Sequence, residues 1–452
     1  MARVFTVYAA AFSTLLGTSA QSQVLNDVEK LLPDFGENGD QFGISIAIDG
    51  NKVLVGSWGD DDNGDDSGAA YVFNTLTGDQ VKLLPEDGSI DDRFGLAVAI
   101  EANVAAVGAY LDDDNGQNSG SVYIFDATSG EQMLKIVPAD AVGGDFFGSS
   151  VAIDNGVVAV GAPHVNVGGS LSGFVYLFDV FSGNQIAKLI PSDGLGSDQF
   201  GYSVAVADGV VAVGARRDDD LGSSSGSAYL FDVTTGVQIA KLLPDDGNKE
   251  DEFGFSIAIA GGVVAVGAHQ DDDNGAESGS AYLFDCATGD QIAKLVPDDG
   301  TDGDRLGQHI AIESGRVAVG TVFDSDNGPG SGSVYLFDTS KLDLIAKMLP
   351  MDGVASQRFG SAIAVADGLF AVGARGDNEN GTGSGSAYLF DTNPCSSADL
   401  SFPPGRLDFS DVVAFLTAFD AMEPDADLAP PVGQWDFSDV VAFLNSFAAG
   451  CP

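Results

Sequence analysis

A proline recurs along this chain at an almost fixed spacing, and this spacing limits the fold more than any other feature. The first step between these prolines is 52 residues, and the next five steps are 53 residues each. They are Pro33, Pro85, Pro138, Pro191, Pro244, Pro297 and Pro350. A period of this length and regularity is typical of a repeat fold, in which each unit is stabilised by its neighbours.

Four strand signals follow one another in the same order in every unit. In residues 251–297 they are Ser256–Ile259, Val263–Gly267, Ser280–Phe284 and Gln291–Val296. Glycine-containing turns separate them, and β-branched residues are frequent within them. Because no 3.6-residue hydrophobic period occurs inside the unit, the pattern predicts strands rather than helices.

Aromatic pairs mark the third strand of every unit. Each pair is a tyrosine followed two residues later by a phenylalanine, so both rings point to the same face of a sheet. The pairs are Tyr71 and Phe73, Tyr123 and Phe125, Tyr176 and Phe178, Tyr229 and Phe231, Tyr282 and Phe284, Tyr335 and Phe337, and Tyr388 and Phe390. Such rings pack against the next sheet. Seven four-stranded units that cover one another in this way predict a mainly β fold, a seven-bladed β-propeller over residues 24–392.

The two ends of the repeat array predict how the ring closes. The array begins with a fourth strand, Val24–Pro33, and it ends with a third strand, Ser386–Phe390, that lacks its own fourth strand. We therefore expect Val24–Pro33 to complete the blade formed by Phe359–Asp391. This pairing removes the exposed strand edges at the junction.

Two short motifs recur with the repeat. Phe-Gly stands at Phe42-Gly43, Phe94-Gly95, Phe147-Gly148, Phe200-Gly201, Phe253-Gly254 and Phe359-Gly360, with Leu306-Gly307 as the departure. Gly-Ala stands at Gly108-Ala109, Gly161-Ala162, Gly214-Ala215, Gly267-Ala268 and Gly373-Ala374. With these motifs the repeat resembles the FG-GAP family, the unit of the integrin α-subunit propeller, and more closely its bacterial relatives. The resemblance spans about residues 24–391 and implies the same propeller fold.

An aspartate precedes most of the Phe-Gly motifs by two residues. These residues are Asp40, Asp92, Asp145, Asp198, Asp251 and Asp304, and Gln357 takes the position in the last repeat. A carboxylate there can accept backbone N–H groups and fix the loop that enters the blade. We expect this structural role, with a ligand role as the alternative.

Acidic loops between the second and third strands are candidate metal sites. Their alternating carboxylates are Asp60, Asp62, Asp112, Asp114, Asp218, Asp220, Asp271, Asp273, Asp324 and Asp326. Ca²⁺ takes about six to eight oxygen ligands, and such loops can bring carboxylates together. The alternative is a solvated acidic surface in which an Asn-Gly turn supplies positive φ. Integrin-type calcium loops lie one connection earlier, between the first two strands, so the resemblance does not place calcium here.

A different repeat of 28 residues begins after Asn393-Pro394. Each half ends in an i, i+3, i+4, i+7 apolar pattern, which predicts a helix. The loop–helix pair, residues 393–452, resembles a dockerin, and this implies an α-helical module with a cohesin-like anchoring partner. The implied calcium ligands are Asp399, Asp408, Asp411, Asp427, Asp436 and Asp439. Helix capping by the later aspartates is the competing interpretation. Cys395 and Cys451 bracket the module, which suggests a disulfide in an exported protein.

Charge and the N-terminal segment limit where the protein works. The chain has 67 acidic and 19 basic residues, a net charge of −48, which repels nucleic acid and anionic membranes and attracts cations. Residues 1–20 match a secretory signal: Arg3, the apolar run Val4–Leu16 and a small-residue cleavage site at Thr18-Ser19-Ala20. No later stretch is long and apolar enough to span a membrane. We expect a secreted or cell-surface monomer.

The sequence contains no recognisable catalytic motif. Its three histidines, His164, His269 and His309, occupy unrelated repeat positions, and no nucleophile elbow or phosphate loop is present. The sequence therefore predicts a non-catalytic binding or scaffold protein for a protein or glycan ligand. The alternative is a secreted carbohydrate-active enzyme with an acidic pair on one propeller face. A non-repeating cluster of polar residues on one face would mark a functional site, and the third repeat, with His164 in place of the acids, is where we expect it.

Overall fold

The computed structural model describes residues 23–27, 29–167, 170–194, 196–313, 315–392 and Val440. Within residues 23–392, every regular element of the described chain is a strand. Among all described residues, no helix has the length and apolar character needed to cross a membrane. The segment 1–20 and, apart from Val440, the module 393–452 lie outside the described residues.

The described residues between 29 and 392 form seven blades, each with four antiparallel strands in the order that the repeat predicts. The first strands are Ser45–Asp49, Phe94–Glu101, Ser150–Asp154, Phe200–Ala207, Ser256–Ala260, His309–Glu313 and Phe359–Ala366. The second strands are Lys52–Ser57, Val104–Ala109, Val157–Ala162, Val210–Ala215, Val263–Ala268, Arg316–Thr321 and Leu369–Ala374. The third strands are Ala69–Asn74, Ser121–Asp126, Phe174–Asp179, Ser227–Asp232, Ser280–Asp285, Ser333–Asp338 and Ser386–Asp391. The fourth strands are Gln80–Leu83, Gln132–Ile136, Gln185–Leu189, Gln238–Leu242, Gln291–Leu295, Leu344–Leu349 and Glu29–Leu31. Blade 3 adds a small hairpin, Asn166–Val167 with Ser170–Leu171.

The core lies between neighbouring blades, where the aromatic pairs pack as the sequence predicts. In blade 2 the ring of Phe94 meets Tyr123 and Phe125 edge to face, at centroid distances of 5.6 and 5.7 Å. These rings share one buried cluster with Leu54 and Val72 of the preceding blade. Each blade therefore covers an apolar face that its neighbour could not bury alone.

Both motif glycines are needed because two backbones touch between adjacent blades. A Cβ atom on Gly56 of blade 1 would lie 1.9 Å from the carbonyl oxygen of Gly95 in blade 2. The same contact joins blade 7 to blade 1, where a Cβ on Gly373 would lie 2.0 Å from the oxygen of Gly43. The glycine contact that joins neighbouring blades is therefore also present where blade 7 meets blade 1 and the ring closes.

The N-terminal segment is divided between two blades. Glu29–Leu31 pairs antiparallel with the third strand of blade 7, with Lys30 opposite Tyr388, as the sequence predicts. Gln23–Asn26 instead pairs parallel with Leu344–Leu349 of blade 6, so the expectation of one continuous strand in blade 7 is wrong. Leu25 explains this division, because its side chain is 3% exposed in a buried cluster that includes Met348.

Candidate functional site

The acidic loops bind a cation that belongs to the chain itself. In blade 2 the Lys135 ammonium lies 2.9 Å from Asp112, 2.5 Å from Asp114 and 2.8 Å from Asp87, which follows the last strand of blade 1. The Tyr123 hydroxyl donates to the same buried Asp112 at 2.8 Å. The lysines that contact the acidic loops in this way are Lys30, Lys82, Lys135, Lys241, Lys294 and Lys347. Each cluster connects the loop to the fourth strand of its own blade.

This arrangement does not fit calcium at the ten loop aspartates. The lysine ammonium occupies the point on which the alternating carboxylates converge, so a metal ion would have to displace it. The first aspartate of each loop is buried, 3% exposed for Asp60, and its Oδ1 already accepts the amide N–H of Asp62. Within the described ranges, no group of His, Cys, Asp or Glu side chains is arranged to hold a metal ion. The calcium prediction at these loops is left without structural support.

The buried first aspartate also limits the alternative interpretation. Only the later aspartates of a loop, such as Asp61 and Asp62, lie on a solvated surface, and the Asp62 side chain is 62% exposed. Gly64 does supply the positive φ, at 129°.

The repeated lysine of the fourth strand was not assigned a role from the sequence. Its register was the available signal, because Lys135 stands directly opposite Tyr123 across the strand pair.

The aspartates before Phe-Gly fix the entering loop, as the sequence predicts. Asp251 accepts the amide N–H of Asn248 at 2.6 Å, and the same bond recurs at Asp40, Asp92, Asp145 and Asp304. Burial, with the nearby Asp271 carboxylate, raises the pKa of Asp251 to about 6. In blade 7, Gln357 takes this place and its amide donates to Asp377 at 2.8 Å, so two carboxylates do not face each other.

Replacing Asp251 by Gln is expected to stabilise the propeller near neutral pH. A carboxyl whose pKa is raised on folding stabilises the fold below about pH 4, and this contribution is lost as the pH rises through about 6. Asp251→Gln should therefore raise the free energy of unfolding at pH 7.5 by roughly 1–2 kcal/mol, with little gain at pH 4. Thermal melts at both pH values check this. The control is Asp245→Asn, an exposed position with the same charge change; an equal effect of the two substitutions would contradict the account.

The remaining predicted site residues lie outside the described residues. These are the dockerin-like ligands Asp399, Asp408, Asp411, Asp427, Asp436 and Asp439, and the cysteines Cys395 and Cys451. The capping and calcium interpretations of those aspartates, and the disulfide, stay predictions.

A second site lies at one end of the central channel. The first strands of all seven blades line this channel, and their starting ends surround a cavity of about 520 Å³, which we call the cup. Seven apolar side chains form its floor: Ile46, Val98, Val151, Val204, Ile257, Ile310 and Ile363. A cavity of this size with an apolar floor is in the range of small-molecule and saccharide sites.

Three positions of each repeat vary at the cup while the frame around them is constant; we call these the rim positions. The residues before Phe-Gly or Leu-Gly are Gln41, Arg93, Phe146, Gln199, Glu252, Arg305 and Arg358, all with φ between 50° and 59°. The residues after it are Ile44, Leu96, Ser149, Tyr202, Phe255, Gln308 and Ser361. The residues after Gly-Ala or its variants are Trp58, Tyr110, Pro163, Arg216, His269, Val322 and Arg375. Seven left-handed non-glycine residues in one ring are strained, and such strain concentrates at functional sites.

The blade 3 side of the cup is a connected set of rings and polar groups. The Phe146 ring meets Tyr110 at 5.6 Å and lies over His164 at 4.4 Å between centroids. His164 Nε2 lies 2.9 Å from the Gln199 side-chain nitrogen, and Gln199 Oε1 accepts from Arg216 Nε at 2.9 Å. These contacts occur once in the described ring, which is the non-repeating polar cluster expected near His164.

The cluster continues around the cup through blades 4 and 5. The Arg216 guanidinium lies 3.9 Å from the centre of the Tyr202 ring and pairs with Glu252 at 3.3 Å. Tyr202 contacts Phe255 at 5.1 Å, and Phe255 contacts His269 at 4.0 Å between centroids. Burial and the nearby arginines lower the pKa of His269 to about 3, so this imidazole is neutral.

All three histidines of the chain gather at this end of the channel. His164 and His309 line the cup, and His269 contacts the lining residue Phe255. Their repeat positions differ: His164 follows Gly-Ala-Pro, His269 follows Gly-Ala, and His309 begins a first strand. These positions are nevertheless adjacent in space, since the second strand ends where the first strand begins. The sequence did not indicate this convergence.

A ring of seven four-stranded blades with a constant frame and a variable cup defines a β-propeller of the kind that suits a binding or scaffold role. The chain belongs to the FG-GAP repeat family, whose sequence model matches residues 25–73, 77–125, 131–178, 184–231, 237–284, 290–337 and 343–390. No curated protein matches the chain. Among solved structures, the computationally designed Ika8 protein is similar at 15% identity and a TM-score of 0.46, over 82% of this chain and 99% of that chain.

Proposed function

We propose that this chain is an exported, non-catalytic binding or scaffold protein that holds a glycan or protein ligand at the cup. The observation that carries the proposal is the contrast between a constant frame and the rim positions. The glycine contacts and aromatic pairs recur from blade to blade and the lysine clusters recur in every blade but the third, whereas the rim positions do not repeat. Variation at positions around a cavity, within an otherwise repeated frame, is expected where a ligand rather than the fold determines the residue.

Export and anchoring are further parts of the proposal. The signal-like residues 1–20 support secretion or display at the cell surface, and the dockerin-like residues 393–452 support attachment to a cohesin-like partner. In this arrangement the tail fixes the protein to a surface or complex and leaves the cup free. Calcium, if the tail binds it, would act in the dockerin-like loops rather than in the propeller loops, where lysine takes the place of the ion.

A binding role suits the cup better than the carbohydrate-active enzyme considered as the alternative. Glycoside hydrolysis needs two carboxyl groups on either side of the scissile bond. Among the described residues that line the cup, none is Asp or Glu. The one carboxylate among the rim positions, Glu252, forms an ion pair with Arg216.

An array screen with the full chain tests the proposed function. The wild-type protein and the variant Phe146→Ala are compared on glycan and protein arrays, because Phe146 lines the cup between Tyr110 and His164. The control is Phe181→Ala, which removes a ring that is 64% exposed in the turn between the third and fourth strands of blade 3. We expect Phe146→Ala to lose at least tenfold in affinity for the ligand and Phe181→Ala to keep it. Equal binding by both variants, or turnover of the ligand, would contradict the proposal.

A further inference from the structure

The cup is free of acidic side chains in a very acidic protein. The chain has 67 acidic residues against 19 basic ones, yet no Asp or Glu occurs among the described residues that line the cup. Arg375 is the charged side chain of the lining. Two further arginines contact lining residues: Arg93 donates to the Tyr110 hydroxyl at 2.9 Å, and the Arg216 guanidinium lies over the Tyr202 ring. The cup is thus a positive surface inside a strongly negative molecule.

Arg375 has no anion to balance its charge. Its Nε is buried and has no hydrogen-bond partner among the described residues, and within that part of the chain its guanidinium makes no ion pair. Burial and the neighbouring Arg358 lower the pKa of Arg375. The lysines of the blades show the contrast, because Lys135 alone contacts three carboxylates. A half-buried guanidinium without an acceptor is unfavourable, and an anion bound beside it would relieve this cost.

The rest of the cup offers neutral polar groups and aromatic faces. The side chains of Tyr202, Gln308 and His309 line it and make no hydrogen bond to other described residues. Burial and the charge of Arg375 lower the pKa of His309 to about 3, so its ring offers one donor and one acceptor without charge. A pyranose ring presents a C–H face and an edge of hydroxyl groups. Aromatic rings match the first surface, and imidazole, amide and phenol groups match the second.

We infer that the cup binds a uronate, a sugar ring that carries one carboxylate, with the carboxylate paired to Arg375 and the ring against the aromatic wall. This inference rests on the proposed function and names its ligand class. The carboxylate accepts two parallel N–H groups of the guanidinium, the geometry in which arginine binds carboxylates best. The sugar can be a free monosaccharide or the terminal residue of an acidic glycan that extends out of the open end of the cup.

A densely charged polyanion fits less well. Arg216 and Arg305 are already paired with Glu252 and Glu277, so few arginines remain to neutralise successive charges. The net charge of −48 also repels a polyanion over its whole length, whereas a single carboxylate placed beside Arg375 feels mainly the local guanidinium. The cup therefore favours a small ligand that carries one anionic group.

Isothermal titration of the full chain tests the inference. The ligands are glucuronate, its uncharged counterpart glucose, and a short oligouronide, which separates a free sugar from a glycan terminus. We expect binding of a uronate and none of glucose. Arg375→Gln should lower the affinity at least tenfold, the value expected for a lost charged hydrogen bond. Arg316→Gln is the control, because Arg316 donates to Thr392 at 2.6 Å at the other end of the blades and should leave binding unchanged.

A second variant keeps the test valid if Arg375→Gln unfolds. Gln308→Glu places a carboxylate in the cup with almost no change of volume, and it should abolish uronate binding while the melting temperature stays at the wild-type value. Absence of uronate binding, equal binding of glucose, or binding that survives both substitutions would overturn the inference. If array ligands prove neutral but still depend on Phe146, the uronate inference fails and the proposed binding function stands.

Discussion

Deletion of residues 24–33 will lower the melting temperature by roughly 10 °C or more. The deletion removes the fourth strand of blade 7 and uncovers the backbone edge of Ser386–Asp391. It also removes two buried leucines, Leu25 and Leu31, each worth about 2–5 kcal/mol by comparison with core truncations. Lys30 is lost as well, which leaves Asp377 buried without its cation at 3.0 Å. Thermal melts of the full chain and of the deletion variant measure the effect.

A shorter deletion separates the two halves of the closing segment. Removal of residues 23–26 takes away only the parallel strand on blade 6 and leaves Glu29–Leu31 in blade 7. We expect a loss of about half the size, because the edge of blade 7 stays covered. A 24–33 deletion that melts like the wild type would contradict this account of ring closure. Equal effects of both deletions would show that blade 6, not blade 7, carries the stability of the junction.

Replacing Lys347 by Met will lower the free energy of unfolding by about 3–5 kcal/mol. Its ammonium lies 2.9 Å from Asp324, 2.8 Å from Asp326 and 3.1 Å from Asp299. Burial opposes the charge of Lys347, but the hydrogen bonds that its ammonium donates to Asp324 and Asp326, together with its hydrogen bond with Tyr335, outweigh burial and raise its pKa. The side chains of Lys347 and Asp324 are each 6% exposed, so the variant leaves a buried carboxylate without a counter-ion. Chemical denaturation at pH 7.5 measures the loss.

The repeat supplies a matched control for this substitution. Lys188 occupies the same position in blade 3, where the acidic loop is missing. Among the described residues its one ion pair is with Asp140, whose side chain is 56% exposed, and its ammonium also lies over the Phe174 ring. Lys188→Met should cost less than about 1 kcal/mol. Addition of calcium should restore part of the loss in Lys347→Met, because three carboxylates then lack a cation. Equal losses in the two variants, or a calcium-dependent rise in the melting of the wild-type propeller, would contradict the lysine account.

The architecture could be predicted from the sequence because its determinants are local and repeated. The Tyr123 and Phe125 pair shows its shared face by spacing alone, and the same spacing occurs in all seven units. Ring closure could be predicted in outline, since a fourth strand precedes the first blade. Its division could not, because the choice between blade 6 and blade 7 depends on where Leu25 becomes buried, which is a property of the assembled ring.

The candidate sites were harder to predict because they depend on residues from different units. The loop aspartates resemble a calcium site in sequence, and only the fold shows that Lys135 of the fourth strand reaches Asp112 and Asp114. The cup combines single positions from all seven blades, so no continuous motif exists. His164 was marked by its departure from the acidic loops. The role of Arg375 in the cup could not be predicted, since it comes from the absence of any described carboxylate paired with its guanidinium.

If the cup is an anion site in an otherwise cation-attracting protein, crystals of the full chain grown with a bromide salt will hold a bromide ion there. Anomalous scattering locates each bromide ion. We predict a bromide beside the Arg375 guanidinium in the cup and none at the blade lysines, such as Lys135, whose charges are already met by carboxylates. An empty cup while other surface sites hold bromide, or a carboxylate of the chain itself against Arg375, would contradict the account.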